Sequence, residues 1–282
     1  MKPHDPLSRR VFLATAAAAS LAPAALAAKR YPVGLELYSV RNQLQKDLKG
    51  TVTAVAKMGY QVVEFYAPYF SWTPEYAKEI RKLLNDLGIR CLSTHNDAAS
   101  FTPEKISHAM ELNTILGCRY VVMASAGKVD GLDGWKRVAE RLNQAAVTMK
   151  PAKLRPGYHN HQAEFKGLEG SRPIDIIAQN TGKDVLLQLD VGTCVEVGAD
   201  PVAWIRKNPG RFGTIHCKDY SPAPGKGYRV LFGDGVAPWK EIFKVVEKTG
   251  GLEYYTIEQE GSDLPELETV QRCLANFKRI HG

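Results

Sequence analysis

Short apolar runs alternate with amphipathic stretches along most of the chain, and this alternation restricts the fold more than any other feature. Eight runs have the length and composition of buried strands, at 33–38, 61–65, 89–94, 119–124, 154–159, 185–190, 213–217 and 253–258. The stretches between them have helical periodicity and lie near 46–58, 75–87, 103–116, 133–149, 172–181, 201–208, 236–249 and 264–280. Strands that alternate with helices in this way indicate a parallel sheet covered by helices.

Glycines and prolines mark the ends and starts of several helices. Gly59, Gly88 and Gly117 each follow a helical stretch, and their spacing is constant, because 88 − 59 and 117 − 88 both equal 29. A glycine at this point ends a helix by adopting the left-handed conformation. Thr73 and Thr102 each precede a proline and a glutamate, the pattern of an N-cap followed by proline in the first turn. We therefore predict that helices begin directly after both threonines.

The number of strand–helix units predicts a barrel. Eight units in about 250 residues fit a (β/α)₈ TIM barrel, an α/β fold, better than an open doubly wound sheet. A Rossmann-type sheet requires a glycine-rich turn after its first strand, and the Tyr-Ser-Val-Arg of residues 38–41 does not supply one. The chain of 282 residues is long enough for two average domains, but α/β barrels of this size commonly form one. We predict a single TIM barrel domain over residues 28–282.

Residues 1–27 have the pattern of an export signal. Arg9 and Arg10 precede an alanine-rich apolar run, which ends in Ala-Leu-Ala at positions 25–27, a small-x-small cleavage pattern. The paired arginines are typical of a twin-arginine (Tat) signal. A short buried or membrane-anchoring helix is the alternative, but Pro23 interrupts the run, which is shorter than the ~20 residues that a membrane span needs. We expect a periplasmic protein with no stable membrane span after processing.

Charge and cysteine content exclude several classes of protein. The net charge is only +7 and no run of lysine and arginine exceeds two residues, so charge does not indicate a nucleic-acid partner. With 44% hydrophobic residues the chain is too apolar to be disordered. Five cysteines at irregular spacing, without a C-x-x-C pair, predict neither a disulfide framework nor a structural zinc site, although one disulfide remains open. Cys91, Cys118 and Cys217 lie in apolar runs, as buried thiols usually do.

Polar side chains collect at the carboxyl ends of the predicted strands, where a barrel builds its active site. They are Glu36, Tyr38, Glu64, His95, His159, His161, Asp190, His216, Lys218, Asp219, Glu258 and Gln259. Two imidazoles and two carboxylates come from four consecutive strands, namely His159, Asp190, His216 and Glu258. Burying two carboxylates without a cation is unfavourable, and mixed nitrogen and oxygen ligands suit Mn²⁺, Co²⁺, Zn²⁺ or Mg²⁺. We predict one divalent metal ion held by these four residues. For each residue alone, a helix cap or a satisfied core histidine is the alternative.

Five short motifs occur in a fixed order. They are 158–161 (Tyr-His-Asn-His) with 164–165, 189–192 (Leu-Asp-Val-Gly), 216–219 (His-Cys-Lys-Asp), 233–235 (Gly-Asp-Gly) with Trp239, and 257–259 (Ile-Glu-Gln). With these motifs the chain, from about Val33 to its C-terminus, resembles the sugar phosphate isomerase/epimerase family. This is the xylose isomerase-like TIM barrel group that also contains the AP-endonuclease family 2 enzymes. The resemblance implies one divalent ion with ligands from strands five to eight. In relatives whose fifth strand reads E-N-H, the glutamate is the ligand, and His159 takes its position here.

The chain departs from the family at two positions. Isomerases and epimerases of the group commonly have a histidine three residues after the aspartate of strand six, where this chain has Thr193. They also transfer protons with a pair of glutamates, one of which is the ligand on strand five, and that position is His159 here. Both departures argue against simple ketose 3-epimerisation, and they leave the metal-assisted scaffold intact.

Together with the metal site and the neighbouring bases, the resemblance implies an isomerase or epimerase that acts on a sugar or keto-sugar. In this hypothesis the ion acidifies a C–H bond next to a carbonyl, Glu258 is the base, and His161 or Lys218 is the partner acid. The residues predicted to contact substrate are His95, Trp72 and Glu64, with packing in the core as the alternative for the first two. A metal-dependent lyase or dehydratase, which expels a β-substituent from a 3-keto-glycoside or a keto-polyol, is the alternative function.

Two other functions share parts of this pattern. A nuclease of the same superfamily would hold three zinc ions, but the export signal and the modest charge argue against DNA as a partner. A periplasmic sugar-binding protein would normally have two lobes, whereas the pattern indicates one barrel. Metal content distinguishes the three functions, since one ion, three ions and none are expected respectively. We expect a small carbohydrate as the partner. Relatives are often dimers or tetramers, so a homo-oligomer stays open.

Overall fold

Eight parallel strands close into a barrel in the computed structural model, which describes residues 30–249 and 251–282. The strands are β1 (Val33–Glu36), β2 (Val62–Phe65), β3 (Arg90–Asn96), β4 (Tyr120–Met123), β5 (Arg155–His159), β6 (Leu186–Asp190), β7 (Ile215–Cys217) and β8 (Tyr255–Ile257). Each strand pairs with the next one in the chain, and β8 pairs with β1. The predicted (β/α)₈ fold is therefore confirmed. The predicted signal peptide at 1–27 lies outside the described residues.

Helices surround the strands. They are α1 (Arg41–Lys46), α2 (Leu48–Met58), α3 (Pro74–Asp86), α4 (Ile106–Leu116), α5 (Gly131–Met149), α6 (Gln162–Phe165), α7 (Pro173–Asn180), α8 (Val191–Glu196), α9 (Pro201–Lys207), α10 (Trp239–Thr249) and α11 (Glu266–His281). Within residues 30–249 and 251–282, no helix has both the length and the apolar character needed to cross a membrane.

The helix ends follow the predicted caps at most positions. Gly59 and Gly117 end α2 and α4 with φ of 99° and 79°, in the left-handed region that favours glycine. The hydroxyl of Thr73 accepts a hydrogen bond from the first turn of α3 at 3.2 Å, as predicted. The predicted helix start after Thr102 is wrong. The carbonyl of Thr102 accepts hydrogen bonds from the backbone N–H groups of Lys105 at 3.1 Å and Ile106 at 2.9 Å. Residues 103–105 therefore form a turn, and α4 begins at Ile106.

The strands end where the polar side chains begin. β1 ends at Glu36, two residues before the predicted end, because the Glu36 carboxylate accepts a hydrogen bond from the backbone N–H of Tyr38 at 3.4 Å and the chain turns into a short 3₁₀ helix. The short helix α8 directly follows β6. Its N-cap is Asp190, whose Oδ1 accepts a hydrogen bond from the backbone N–H of Thr193 at 3.1 Å. The backbone thus fixes one oxygen of this carboxylate at the strand end.

Apolar side chains fill the layer between strands and helices. Leu35, Val63, Ile215 and Ile257 are completely buried there. All five cysteines are buried and free, with the sulfur atoms of Cys91 and Cys118 3.4 Å apart, and they form no disulfide. The thiols therefore belong to the core, as the apolar runs around them predicted.

Candidate active site

Strand register brings ionisable side chains together at the carboxyl end of the barrel. Glu36 and Glu64 are partners across β1 and β2, and Asp190 and His216 are partners across β6 and β7. Side chains on a strand alternate between its two faces, so apolar neighbours such as Leu35 face the helices while these four residues face the barrel interior. All four are completely buried. Burial makes their mutual charges and hydrogen bonds the main determinants of their chemistry.

A cavity of about 510 Å³ adjoins these side chains, and we call it the main cavity. Its ionisable wall residues include Glu36, His95, His159, His161, Glu258 and Glu260. The rings of Tyr38, Tyr66 and Phe70 form part of the same wall. This volume lies within the range of small-molecule sites, about 300–1,000 Å³. Acids, imidazoles and aromatic rings therefore meet in a space of the right size for a small organic ligand.

Gln188 determines which nitrogen of His159 carries the proton. The amide nitrogen of Gln188 donates to Glu64 at 2.9 Å, which orients its oxygen toward His159 Nδ1 at 3.1 Å and His95 Nε2 at 2.7 Å. Because an amide oxygen only accepts, both ring nitrogens must donate. Burial, aided by the nearby His216 and His95, lowers the pKa of His159 well below its ordinary value. His159 is therefore neutral, with a lone pair on Nε2.

Three potential metal ligands converge at this point. The ligand atoms of His159, Asp190 and Glu258 all lie within 4.8 Å of one another. His159 Nε2 is 3.7 Å from Asp190 Oδ2, and this buried oxygen also lies 2.6 Å from the Lys218 ammonium. An imidazole lone pair and two carboxylates that face one another form the donor set of a borderline or hard divalent ion. The residues present therefore fit such an ion.

His216, the fourth predicted ligand, lies between two glutamates. Its Nδ1 is 2.7 Å from Glu258, and its Nε2 is 2.7 Å from Glu64. Burial alone would lower the pKa of His216, but the two carboxylates outweigh burial and raise it to about 10. Both nitrogens therefore donate, and neither has a free lone pair in this arrangement. His216 would have to give up one glutamate to bind a metal, and its role as a ligand stays a prediction.

Lys218 is a buried ammonium group among three carboxylates. Its Nζ lies 2.6 Å from Asp190, 2.7 Å from Glu260 and 3.6 Å from Glu258. The ring of Tyr228 covers it at 4.8 Å. Burial would lower the pKa of Lys218, but the three carboxylates raise it well above its ordinary value. The group therefore stays charged, and it is better suited to stabilise negative charge than to give up a proton.

Glu64 and His95, both predicted to contact substrate, lie at different depths. His95 borders the main cavity, whereas Glu64 lies beneath it and is completely buried. Glu64 accepts hydrogen bonds from Ser93 and His216, and His95 Nε2 is 3.1 Å away. Burial would raise the pKa of Glu64, but the two histidines hold it well below its usual range. The Glu64 carboxylate is therefore ionised and orients both imidazoles, while His95 is within reach of a ligand.

Trp72 and His161 also differ in their surroundings. Trp72 packs edge-on against Phe65 and Tyr76 at ring distances of 5.0 and 5.2 Å, and within the described residues it is not part of the main cavity wall. A substrate contact of Trp72 stays a prediction. His161 borders the main cavity, and its ring lies 5.1 Å from the ring of His159.

No role is assigned from the sequence to three residues of the site, namely Glu36, Gln188 and Glu260. Glu36 borders the main cavity, and its Oε2 is buried without a hydrogen-bond donor among the described residues. Burial and the nearby Glu64 raise the pKa of Glu36 well above its usual value. Gln188 lies two residues before Asp190, and Glu260 lies two residues after Glu258. The strand period of two could have indicated Gln188 and Glu260 as neighbours of the predicted ligands.

Asp219 organises the loop that follows β7. Its carboxylate accepts hydrogen bonds of 2.7–3.2 Å from the backbone N–H groups of Tyr220, Gly233, Gly235 and Ala237 and from the indole N–H of Trp239. Gln259 holds the same loop by donating to the carbonyls of Tyr228 and Val230 at 2.8 and 3.0 Å. The sequence motif at 233–235 with Trp239 is therefore bound to Asp219, one residue after the ammonium group of the site.

Comparisons with known proteins are consistent with this geometry. The sequence profile of the family described as "Xylose isomerase-like TIM barrel" matches residues 52–279. A sugar phosphate isomerase/epimerase from Parabacteroides distasonis ATCC 8503 is 26% identical, with a TM-score of 0.75 over 89% of this chain and 95% of that one. A second sugar phosphate isomerase/epimerase from the same organism is 23% identical, with a TM-score of 0.73 over 89% of this chain and 98% of that one.

A more distant structure has the same fold. The probable 3-DHS dehydratase AsbF from Bacillus anthracis is 14% identical, with a TM-score of 0.70 over 89% of this chain and 99% of that one. Among curated proteins, none matches this chain.

Proposed function

We propose an isomerase or epimerase function for this chain, which belongs to the xylose isomerase-like TIM barrel family. The protein moves a proton next to the carbonyl group of a sugar or keto-sugar, and this reaction requires one divalent ion. The observation that carries the proposal is the convergence of His159, Asp190 and Glu258 beside a cavity of about 510 Å³. The names of the two structures from Parabacteroides distasonis agree with this class of reaction.

The donor set defines where the ion would be held. His159 offers a neutral nitrogen with a lone pair, and Asp190 and Glu258 offer carboxylate oxygens. His216 would be the fourth ligand after giving up its contact with Glu258. When bound, a divalent ion supplies a Lewis acid that polarises a carbonyl group. We propose Mn²⁺, Co²⁺, Zn²⁺ or Mg²⁺, because mixed nitrogen and oxygen ligands suit them.

The chain's own residues supply the proton transfer. Burial would raise the pKa of Glu258, but Lys218 and His216 lower it, so Glu258 is ionised and can accept a proton from the carbon next to a carbonyl. The Lys218 ammonium, 3.6 Å from Glu258, stabilises the negative charge that develops on the substrate oxygen. His161 at the cavity wall is the partner acid that returns the proton. Return to the other face gives an epimer, and return to the neighbouring carbon gives an isomer.

A β-elimination is the second candidate, and Glu36 is the observation that favours it. Burial and Glu64 raise the pKa of Glu36, so this cavity-wall carboxyl keeps a proton that it can give to a departing oxygen. The position of the second glutamate of an epimerase is His159, a neutral imidazole held by Gln188. Such a lyase would act on 3-keto-glycosides or keto-polyols. The name of the Bacillus anthracis structure, a probable dehydratase, is of this reaction class.

Turnover of two substrate sets, with and without chelator, tests the proposal. Free ketoses report isomerisation or epimerisation, and 3-keto-glycosides report elimination. We expect turnover that EDTA abolishes and a divalent ion restores. The Glu258→Gln variant should be inactive, whereas Glu75→Gln, which neutralises an exposed glutamate in the first turn of α3, should keep full activity. An active Glu258→Gln enzyme would remove this mechanism. We propose the periplasm as the site of action, in keeping with the Tat-type pattern of residues 1–27.

A further inference from the structure

A second cavity adjoins the main cavity, and we call it the side cavity. Its volume is about 220 Å³, and it lies between the 3₁₀ helix that follows β2 and the amino end of α4. Phe70, Asn96 and Asp97 belong to the walls of both cavities. The two cavities are therefore direct neighbours in the structure.

The side cavity combines an aromatic ring with several hydrogen-bonding groups. The half-buried Phe70 provides the ring, and Ser100, Lys105 and His108 provide polar atoms. His108 is exposed, and its Nε2 lies 3.1 Å from the backbone oxygen of Phe70, so this nitrogen donates and Nδ1 remains available as an acceptor. Within the described residues no carboxylate lies within 4.0 Å of the Lys105 ammonium, so its three N–H donors are free of ion pairs.

Charge and size indicate what such a cavity holds. Asp97 lies in the same wall as the two basic residues, and its carboxylate accepts hydrogen bonds from the Ser100 backbone and hydroxyl at 2.8 and 2.7 Å. A wall with both signs of charge, hydrogen-bonding side chains and the rings of Tyr69 and Phe70 suits a neutral polyhydroxylated ring better than an anion or a hydrocarbon. A free monosaccharide in the main cavity would make no use of these groups.

We propose that the side cavity is a subsite for a second sugar ring, so that the substrate is a keto-sugar glycosidically joined to another sugar. This inference rests on the proposed function, because it takes the reacting ring to lie beside Glu258 in the main cavity. The second ring lies against Phe70, and its hydroxyl groups hydrogen-bond to Lys105 and His108. Both basic residues are exposed, so they can be changed without disturbing the core or the proposed metal ligands.

Rates on matched substrates test the subsite. The probes are methyl 3-keto-glucoside, which has one ring, and the 3-keto derivatives of maltose and cellobiose, which carry the same reacting ring with a second one. We expect the wild-type protein to prefer at least one disaccharide over the methyl glycoside by about 10-fold or more in kcat/KM, the size of effect that one well-contacted group commonly gives. The Lys105→Ala/His108→Ala double variant should lose this preference and keep its rate on the methyl glycoside. Lys150→Ala removes an exposed lysine from a different surface cavity and should change neither rate.

The outcomes separate this inference from the proposed function. Equal kcat/KM for one-ring and two-ring substrates in the wild-type protein, or an equal loss on both in the double variant, overturns the subsite and leaves the proposed function standing. If none of the probes is turned over, the proposed function on keto-glycosides fails. Calorimetric titration with the same probes then decides the subsite: tighter binding of a disaccharide that the double variant loses supports it, and equal affinities overturn it.

Discussion

Replacing Lys218 by methionine should make the protein dependent on a divalent ion for its stability. The ammonium is only 1% exposed and lies 2.6 Å from Asp190 and 3.6 Å from Glu258. Methionine keeps the apolar stem and removes the charge, so the buried Asp190 loses the ammonium beside it and Glu258 keeps only the charged His216. Removing one partner of a buried ion pair generally costs about 3–5 kcal/mol. The third carboxylate, Glu260, is partly exposed and adds little to this cost.

The expected magnitude depends on the ions present. In EDTA, the free energy of unfolding of Lys218→Met should be about 3–5 kcal/mol below that of the wild-type protein. For a domain of this size, each kcal/mol corresponds to a shift in Tm of about 2–4 °C. Excess Mn²⁺ should raise the Tm of the variant more than that of the wild type, because an ion and the ammonium neutralise the same two carboxylates.

Thermal and urea unfolding, with EDTA and with Mn²⁺, measure both effects. Lys207→Met is the matched control. It removes an exposed lysine 3.2 Å from Asp175, and an exposed ion pair of this kind is worth about 1 kcal/mol or less. The reasoning is refuted if Lys218→Met unfolds like the wild type in EDTA. It is refuted equally if Mn²⁺ raises the Tm of both proteins by the same amount.

Three further predictions follow from the site. Gln188→Leu frees the ring of His159, and groups that orient a metal ligand are worth about 10–100-fold in metal affinity. Competition with a chelator should therefore show a loss of metal affinity of this size, and an unchanged affinity would contradict the assigned tautomer of His159. In EDTA the free energy of unfolding should fall as pH rises from 6.5 toward about 10, because the folded protein raises the pKa of His216 and so binds its proton more tightly than the unfolded chain. The stabilisation by protonated His216 is complete below pH 6.5. A pH-independent stability in urea titrations would argue against the Glu64–His216–Glu258 arrangement. Asp219→Ala leaves five donors without their acceptor, so circular-dichroism melts should show a loss of about 3 kcal/mol or more, and a wild-type Tm would show that the loop does not depend on this carboxylate.

Sequence patterns predicted the barrel because its strands and helices are marked by local features. Apolar runs, the glycine that ends α2 and the threonine that caps α3 each act within a few residues. The exceptions are also local. Thr102 has the same sequence pattern as Thr73, but two backbone hydrogen bonds to its carbonyl make a turn before α4 begins. Helices α6 and α8 are single short turns after a strand, too short for periodicity to identify.

The residues of the site could be predicted from their positions at strand ends, but the hydrogen bonds and ion pairs between them could not. His159, Asp190 and Glu258 stand at the ends of β5, β6 and β8, and barrel geometry alone brings them together. The state of His216 depends on Glu64, 152 residues away in sequence, so no local pattern indicates that both of its nitrogens are engaged. In the same way, Lys218 is charged because strands on either side present carboxylates to it.

The central claim is that Glu258 takes a proton from the carbon next to the carbonyl of a bound sugar while a divalent ion is held by His159, Asp190 and Glu258 itself. Proton NMR of a keto-sugar incubated with the protein in D₂O measures this step directly, whatever product follows. We predict that deuterium enters at that carbon with protein that carries one equivalent of divalent ion. The exchange should disappear after treatment with chelator and in Glu258→Gln. Exchange that persists without the ion, or its absence with every ketose and 3-keto-glycoside tried, would contradict the claim.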